Sequence, residues 1–519
     1  MSATVESPDI ASARRDARIA GLIAVALAGA FLWLVSGFFT GVPFAPTSVA
    51  DASVRVLPGG METFFIELLH HWAQRLFEIG VVIGSLLFGA EVLARALVFD
   101  GSSVRVRAGV AGAIVGVVAF AGALVDPTSN PNPVIVAGVT IFAVAIYTFA
   151  ASGLFKSMYG ARADADSGRR QVLRLAIAGG GILAVGGGLL GWIARRISGP
   201  DTNVALVAPA SPAKIPSRAP FPEIAGLSPE VTSASDHYIV DIDIVAPSVE
   251  ASSWDLRVHG LVDKPAQYGF QQLQHSFDIV DEYAVLTCIS NRVGGGLIGN
   301  SKWGGVKLGD VLDVAGVHSD AVDVVFRAAD GYADSIPIEV ARHPSTILAV
   351  SQNDKPLTQD HGFPCRVRVP MIYGMKNVKW LTEIEVVNKD FLGFWQSRGW
   401  NDRAVVHTES RIDVAGDHLN ASAGNATWIA GVAWAGDREI SKVEVSTDGG
   451  QTWNEAMLKD ALGPLAWRLW AYRWTPEQRG AVRVECRATD GTGAVQTTHQ
   501  AAPYPSGSSG LNVVEVTVS

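Results

Sequence analysis

The chain has 519 residues, of which 18% are charged and 48% hydrophobic, and its formal net charge is −9. This length predicts about two or three domains rather than one. The negative charge leaves no basic surface for a polyphosphate, which argues against a nucleic-acid partner. The three cysteines, Cys288, Cys365 and Cys486, are too few for a disulfide framework.

The first part of the chain is rich in long apolar runs. Five of them are long enough to cross a bilayer, which takes about 20 helical residues. They lie near 19–39, 76–98, 108–125, 133–155 and 172–193. Buried core helices of a soluble protein are the alternative, but successive runs of this length are rare in soluble chains. Residues 1–199 are therefore predicted to form a five-helix transmembrane region.

Basic residues in the short loops predict how this region is oriented. Arg14, Arg15 and Arg18 precede the first run, and the loop 156–174 carries five more basic residues. The loop 126–133 has none. Because such residues stay on the cytoplasmic side, the N-terminus is predicted to be cytoplasmic. An odd number of crossings then places everything after residue 193 outside the cytoplasm, in a multi-pass protein of the cell membrane.

The segment before the fifth run resembles an export signal. Residues 167–174 read Ser-Gly-Arg-Arg-Gln-Val-Leu-Arg, which is similar to a twin-arginine motif. An ordinary basic loop on the cytoplasmic side is the alternative. No small-residue cleavage site follows, so we expect the helix to remain as an anchor. Since the twin-arginine route carries folded cargo, the motif indicates a domain that receives a cofactor before export.

The rest of the chain has the pattern of short strands and turns. Residues 200–234 are rich in Pro, Ala and Ser and predict a semi-rigid linker. Alternating apolar residues then predict strands, the first at Tyr238–Val245. A second unit, 401–519, contains strands separated by glycine turns, a pattern typical of an immunoglobulin-like β-sandwich.

Three blocks of this region carry the chemistry. In the first, Leu286-Thr-Cys-Ile-Ser-Asn-Arg-Val293 leads into the glycine-rich run 294–300. Glycines allow the backbone to approach a large ligand closely, so Cys288 is placed well to bind one. The second block is His361-Gly-Phe-Pro-Cys-Arg-Val-Arg-Val-Pro370, with Tyr373-Gly-Met-Lys-Asn-Val-Lys-Trp380. The third comprises Gly449–Trp453, Trp467–Trp474 and Ala488–Asp490.

Together, these blocks resemble the sulfite-oxidase family of molybdopterin-dependent oxidoreductases. The resemblance implies an α+β molybdopterin-binding domain at 235–400 and a domain similar to the family's dimerisation domain at 401–519, and hence a possible homodimer. It also implies a molybdenum–molybdopterin cofactor with Cys288 as the protein ligand to the metal. A soft thiolate suits that role, since it adds a protein sulfur ligand to the dithiolene sulfurs that the pterin supplies.

The resemblance also implies the residues of the site. The expected catalytic residues are Cys288, Arg292 and Tyr332. Arg366 can bind the cofactor phosphate in a bidentate manner, and lysines can add positive charge; a structural ion pair is the alternative for Arg366. The expected cofactor-binding residues are Ser235, Tyr238, Ile239, Cys288, Asn291, His361, Arg366, Lys376, Asn377, Val378 and Lys379.

Two positions depart from the family pattern. Sulfite-oxidising members have arginines where this chain has Val240 and Val293. Fewer cations weaken the binding of a small dianion, so the sequence leaves open a substrate other than sulfite, including a sulfoxide or N-oxide that is reduced. Either way, we expect oxygen-atom transfer to or from a small-molecule substrate.

The sequence contains no haem motif, flavin loop or Cys-x-x-Cys pair, so electrons are expected to pass through an external partner, a quinone or a redox protein. A second hypothesis is a non-enzymatic surface protein that displays immunoglobulin-like binding domains on a membrane anchor. It leaves Cys288 and its glycine-rich loop unexplained.

Overall fold

A computed structural model describes residues 10–39, 41–55, 73–98, 103–125, 131–163, 186, 189–190, 200–210, 212–213, 215, 219–242 and 246–519. The chain divides into a helical unit, which lies mainly before residue 200, and a β-rich unit, which lies mainly after it.

The described helical unit contains four helices that are long and apolar enough to span a membrane. They correspond to the first four predicted spans; the fifth, 172–193, lies almost entirely outside the described residues, as does the arginine pair at 169–170. One shorter helix was not predicted. The helices are α1 (Ile10–Phe38), α2 (Ala45–Val54), α3 (Ala73–Val98), α4 (Val104–Leu124) and α5 (Pro133–Ala163).

Small residues bring α1 and α3 close together. A Cβ atom at Gly21 would lie only 2.8 Å from the Cα atom of Ala90. Such contacts are how helices associate in a lipid environment, where no hydrophobic effect drives them together. The carboxylate of Glu91 is paired with Arg18 and Arg95, at 2.9 and 3.0 Å.

The β-rich unit begins with two sheets and three short helices. One sheet has the order β2-β1-β10-β5-β6, and the other has the order β3-β4-β7-β8, with β9 paired to β7. The strands are β1 (Asp255–Gly260), β2 (Ala266–Gly269), β3 (Ile279–Thr287), β4 (Ile298–Lys307), β5 (Asp323–Ala328), β6 (Ala333–Pro337), β7 (Ile347–Gln352), β8 (Lys355–Pro356), β9 (Arg366–Arg368) and β10 (Leu381–Val387). The helices are α6 (Phe270–Ser276), α7 (Leu308–Ala315) and α8 (Ile338–Ala341).

The C-terminal region forms two further sheets, β11-β13-β17-β16 and β12-β19-β18-β14-β15. Trp470, Val443 and Cys486 belong to one buried cluster that both sheets share. This is the two-sheet arrangement expected of a sandwich, while its immunoglobulin-like topology stays a prediction. The strands are β11 (Glu409–Ala415), β12 (Asn420–Ala421), β13 (Thr427–Trp434), β14 (Ile440–Ser446), β15 (Asn454–Glu455), β16 (Met457–Leu458), β17 (Arg468–Trp474), β18 (Gly480–Asp490) and β19 (Asn512–Val518).

The predicted strand Tyr238–Val245 is wrong for its described part, since residues 238–242 form no strand. The segment that leads into it is instead held by loop contacts. The Thr232 amide donates to the Asn300 carbonyl at 2.7 Å, and the Ala234 carbonyl lies 2.7 Å from His361 Nε2. The described linker residues also bond to the folded unit, as in the ion pair of Glu230 with Lys459 at 2.7 Å.

Candidate active site

Cys288 follows directly on β3, in the loop that joins β3 to β4. Its amide donates to the Leu297 carbonyl at 3.0 Å, and its carbonyl accepts from the Asn291 amide at 3.0 Å. The Asn291 side chain closes the loop, because its Oδ1 accepts from the Leu297 amide at 2.9 Å. The Cys288 side chain is 7% exposed, and its Sγ lies 3.0 Å from Ser290 Oγ. The loop therefore fixes the position of a nearly buried thiol.

Glycine is required in this loop for steric reasons. A Cβ atom at Gly295 would lie 2.5 Å from Asn291 Oδ1. Gly294 has a φ of +77°, and a Cβ atom there would lie 2.3 Å from Asn512 Nδ2 of the C-terminal domain. The glycines thus allow the Cys288 loop to pack against its own asparagine and against β19.

Three tyrosines lie near Cys288, of which Tyr332 and Tyr373 are buried and Tyr238 is half-buried. Burial raises the pKa of all three, and a thiolate at Cys288 would raise each pKa further. All three hydroxyls therefore keep their protons at neutral pH. The Tyr332 hydroxyl lies 3.0 Å from Asp334 Oδ2 and 2.8 Å from the Met375 carbonyl oxygen. Tyr238 and Tyr332 were predicted site residues, whereas Tyr373 was not.

Arg366 is a buried cation whose hydrogen bonds are incomplete. Its Nη1 donates to the His361 carbonyl at 3.1 Å and its Nη2 to the Asn377 carbonyl at 3.0 Å. Its Nε is buried without a hydrogen-bond partner among the described residues, and its guanidinium lies 5.2 Å from the Trp303 ring centroid. Burial lowers its pKa to about 10, so it stays charged at neutral pH. Such a group fits an anionic ligand, because unpaired buried charges are costly.

His361 supports the same corner of the site. It is buried, and its Nε2 lies 2.7 Å from the Ala234 carbonyl oxygen. Burial lowers its pKa to about 4, so the ring is neutral and donates from Nε2. The ring of His237, which sequence reasoning passed over, lies 5.4 Å away, centroid to centroid. The only sequence signal for His237 is its place directly before Tyr238.

The structure gives Lys376 a role different from the predicted one. Its Nζ lies 3.0 Å from Asp334 Oδ1, 2.9 Å from Asp402 Oδ1 and 2.8 Å from the Ser335 carbonyl oxygen. An ammonium group has three protons to donate, so none is left for a cofactor phosphate.

Lys379 is also occupied within the protein. It forms an ion pair with Asp241, and its Nζ donates to the Asp360 carbonyl at 2.8 Å. The positive charge that both lysines were expected to supply is thus largely paired, and Arg366 is the cation that remains.

Asn377 and Val378 hold the backbone around Arg366. The Asn377 Oδ1 accepts from the Val369 amide at 2.7 Å, and the Val378 carbonyl accepts from the Val367 amide at 2.8 Å. Both side chains are buried.

The remaining predicted residues lie at the surface. Ser235 and Arg292 are exposed, and Ile239 is 50% exposed. Their roles stay predictions.

The site offers one soft ligand to a metal. Among the described residues, no group of three or more His, Cys, Asp or Glu side chains could hold a metal ion. A metal beside Cys288 would therefore need most of its ligands from a cofactor, as the sulfurs of a pterin dithiolene would provide. The residues present fit a molybdopterin with Arg366 at its anionic end.

Comparisons with known proteins identify the domains of this region. Residues 243–395 match the model of the oxidoreductase molybdopterin binding domain, and residues 405–503 match that of the Mo-co oxidoreductase dimerisation domain. An uncharacterized oxidoreductase, YuiH of Bacillus subtilis, is 31% identical over 30% of this chain and 75% of its own length. The chain belongs to the sulfite-oxidase family of molybdopterin oxidoreductases. Family membership implies molybdopterin as the cofactor.

One further relative and one solved structure show how far the likeness extends. The mitochondrial sulfite oxidase of Drosophila melanogaster is 34% identical over 39% of this chain, which spans 42% of that protein's length. The sulfane dehydrogenase SoxCD of Paracoccus pantotrophus shares the fold with a TM-score of 0.50 at 22% identity, over 61% of this chain and 94% of its own.

Proposed function

We propose that this chain is a membrane-anchored, molybdopterin-dependent oxidoreductase that transfers an oxygen atom to or from a small substrate outside the cytoplasm. The observation that carries the proposal is the pairing of a nearly buried thiol, Cys288, with a buried and incompletely bonded cation, Arg366. A cofactor that presents sulfur-bound metal at one end and a phosphate at the other would satisfy both.

The residues of the chain have distinct tasks in this proposal. When bound, the cofactor supplies a metal centre that exchanges oxygen and electrons with the substrate. Cys288 ligates that metal, and Arg366 binds the phosphate with its free Nε and its charge. Tyr238 keeps a protonated hydroxyl near the thiolate and can donate a hydrogen bond to substrate oxygen. The hydroxyl proton of Tyr332 is already donated within the protein, so Tyr332 helps to position the site. Exposed Arg292 follows Cys288 closely enough to guide a substrate towards it.

The substrate is proposed to be either sulfite or a neutral oxo compound such as a sulfoxide or N-oxide. The valines at positions 240 and 293 favour the second class, since they remove two cations that would attract a small dianion.

The cellular setting is part of the proposal. The four apolar helices support a membrane anchor, and the basic loops favour a cytoplasmic N-terminus. The fifth predicted crossing, 172–193, would then place the β-rich unit on the other side of the membrane. Export by the twin-arginine route would deliver that unit already folded. We further propose electron exchange with a quinone or redox protein, and a homodimer formed through an immunoglobulin-like C-terminal domain.

The test uses the full chain purified in detergent, with molybdenum measured by mass spectrometry. Turnover is followed with sulfite and an artificial acceptor, and with a sulfoxide and a reduced viologen. We expect stoichiometric molybdenum and turnover in one direction, and a loss of at least about 100-fold in turnover for Cys288→Ser. Cys486→Ser, which alters a buried cysteine of the C-terminal sandwich, is the control and should keep full activity.

A wild-type chain without molybdenum would instead support the surface-binding hypothesis. Full metal content and turnover in Cys288→Ser would refute the assignment of the ligand.

The export route is tested separately by the change of Arg169 and Arg170 to lysine. The C-terminal domain should then remain protected from protease added to spheroplasts. Normal export of this variant would remove the twin-arginine part of the proposal.

A further inference from the structure

A pocket of about 550 Å³ lies in the C-terminal domain, and all of its lining residues fall within residues 401–509. Pockets of this size hold small organic molecules and are far larger than an inorganic oxyanion requires. Its lining is mostly polar and includes Asn401, Arg403, His407, Arg438, Ser506 and Ser509.

The pocket carries positive charge. The Arg403 side chain is exposed and has no hydrogen bond or ion pair within the part of the chain that the structure describes. Arg438 is anchored, because its Nε donates to Asp490 at 3.1 Å and its Nη2 to the Val406 carbonyl at 3.0 Å. Asp490 offsets the charge of Arg438, so Arg403 supplies the uncompensated charge.

No carboxylate among the lining residues opposes this charge. Two acids adjoin the lining and are already paired, Asp490 with Arg438 and Asp402 with Lys376. A third acid, Glu409, follows the lining residue Thr408. It is buried, and burial raises its pKa to about 8, so it is mostly protonated at neutral pH. The pocket therefore favours an anionic group over a neutral one.

The wall of the pocket is in contact with the Cys288 loop. His407 Nδ1 lies 2.9 Å from the Ser508 carbonyl oxygen, and Ser508 Oγ donates to the Asn291 carbonyl at 2.7 Å. One residue, Ser508, thus separates the pocket lining from the loop that carries the proposed metal ligand.

We propose that this pocket binds the acidic end of an organic substrate, with Arg403 as the residue that selects for the acid. The inference rests on the proposed oxygen-atom transfer and narrows its substrate to an organic sulfoxide or N-oxide that carries an acidic group. Arg438 and the hydroxyls of Ser506 and Ser509 supply further hydrogen bonds.

The test compares two probes that differ by one carboxylate, 4-(methylsulfinyl)benzoate and methyl phenyl sulfoxide. Their Kd values are measured by calorimetry on the full chain without an electron donor, so that no turnover occurs. We expect the carboxylate to bind about tenfold more tightly, which one charge-assisted hydrogen bond provides. The preference should disappear in Arg403→Gln and weaken with added NaCl.

Two further variants keep the result interpretable. Arg479→Gln changes an exposed arginine outside the pocket and should leave both Kd values unchanged. Val405→Trp, at an exposed lining position, fills the pocket without changing its charge and should weaken the binding of the carboxylate.

Equal Kd values for the two probes in the wild type would overturn the inference, as would a preference that survives Arg403→Gln. Failure of the proposed function would appear separately, as missing molybdenum in the same preparation.

Discussion

Lys376 and Arg366 are both buried cations, but their hydrogen-bond and ion-pair partners differ. Lys376 has a carboxylate on each of two sides and a carbonyl for its third proton. Arg366 contacts two carbonyls and an aromatic ring, pairs with no carboxylate in the described chain, and leaves its Nε unbonded. A buried cation that is paired with carboxylates holds the fold together, whereas a buried cation without a carboxylate partner can bind an anionic ligand.

The largest effect is expected at the fully bonded cation. Lys376→Met leaves Asp334 buried without its partner, which costs about 3–5 kcal/mol of folding free energy. Thermal unfolding of the full chain should show a lower Tm, while the folded fraction keeps its molybdenum. Lys442→Met removes a more exposed ion pair with Glu444 and should cost about 1 kcal/mol or less. If the Lys376→Met chain kept its Tm but lacked the cofactor, Lys376 would be a cofactor-binding residue and not one that stabilises the fold.

At the incompletely bonded cation, the expected loss is in cofactor rather than stability. Arg366→Gln removes charge-assisted hydrogen bonds to the phosphate and should lower cofactor affinity about 10- to 100-fold. The Tm of the cofactor-free chain should not fall by a comparable amount, because a costly buried charge is removed. The cofactor content of the variant is measured as the fluorescence of the pterin that is released from the denatured protein.

Arg368→Gln is the matched control in the same strand, since Arg368 is also buried but pairs with Glu282 at 3.1 Å. It should lose stability and keep the cofactor. A normal pterin content in Arg366→Gln would show that Arg366, like Arg368, does not bind the cofactor.

A buried acid extends the comparison to negative charge. Glu409 accepts one long hydrogen bond, from Ser508 at 3.4 Å, and burial raises its pKa from 4.5 to about 8. The folded chain therefore holds a proton that the unfolded chain releases. Its contribution to stability falls as pH rises from about 4.5 to about 8, by up to roughly 1.4 kcal/mol per pH unit, and levels off above.

Glu409→Gln should remove that part of the pH dependence, as measured by Tm across this range. Identical pH dependence in the wild type and the variant would show that the carboxyl is ionised in the folded chain.

Sequence patterns predict those features that depend on neighbouring residues. The apolar runs predicted four spanning helices to within a few residues at most ends. The strand at Tyr238 failed because alternation can arise without a ladder: Tyr238 packs against the buried cluster that contains Leu286 and Trp303, although its segment pairs with no strand.

Neighbouring residues do not predict which charged side chains pair in the folded chain. Asp334 and Asp402 lie 42 and 26 residues from Lys376, so no local motif distinguishes this lysine from one that binds phosphate. The contacts of Tyr373 also come from residues that are distant in the sequence. A Cβ atom at Gly507 would lie 2.4 Å from its hydroxyl oxygen, a contact made by the far end of the chain.

The central claim is that the thiolate of Cys288 binds the metal directly, and X-ray absorption at the molybdenum edge tests it. Per bound molybdenum, Cys288→Ser should show about one sulfur neighbour fewer than the wild type. Cys486→Ser should match the wild type, because burial in the sandwich raises the pKa of that thiol to about 12. An unchanged sulfur count in Cys288→Ser would contradict the account.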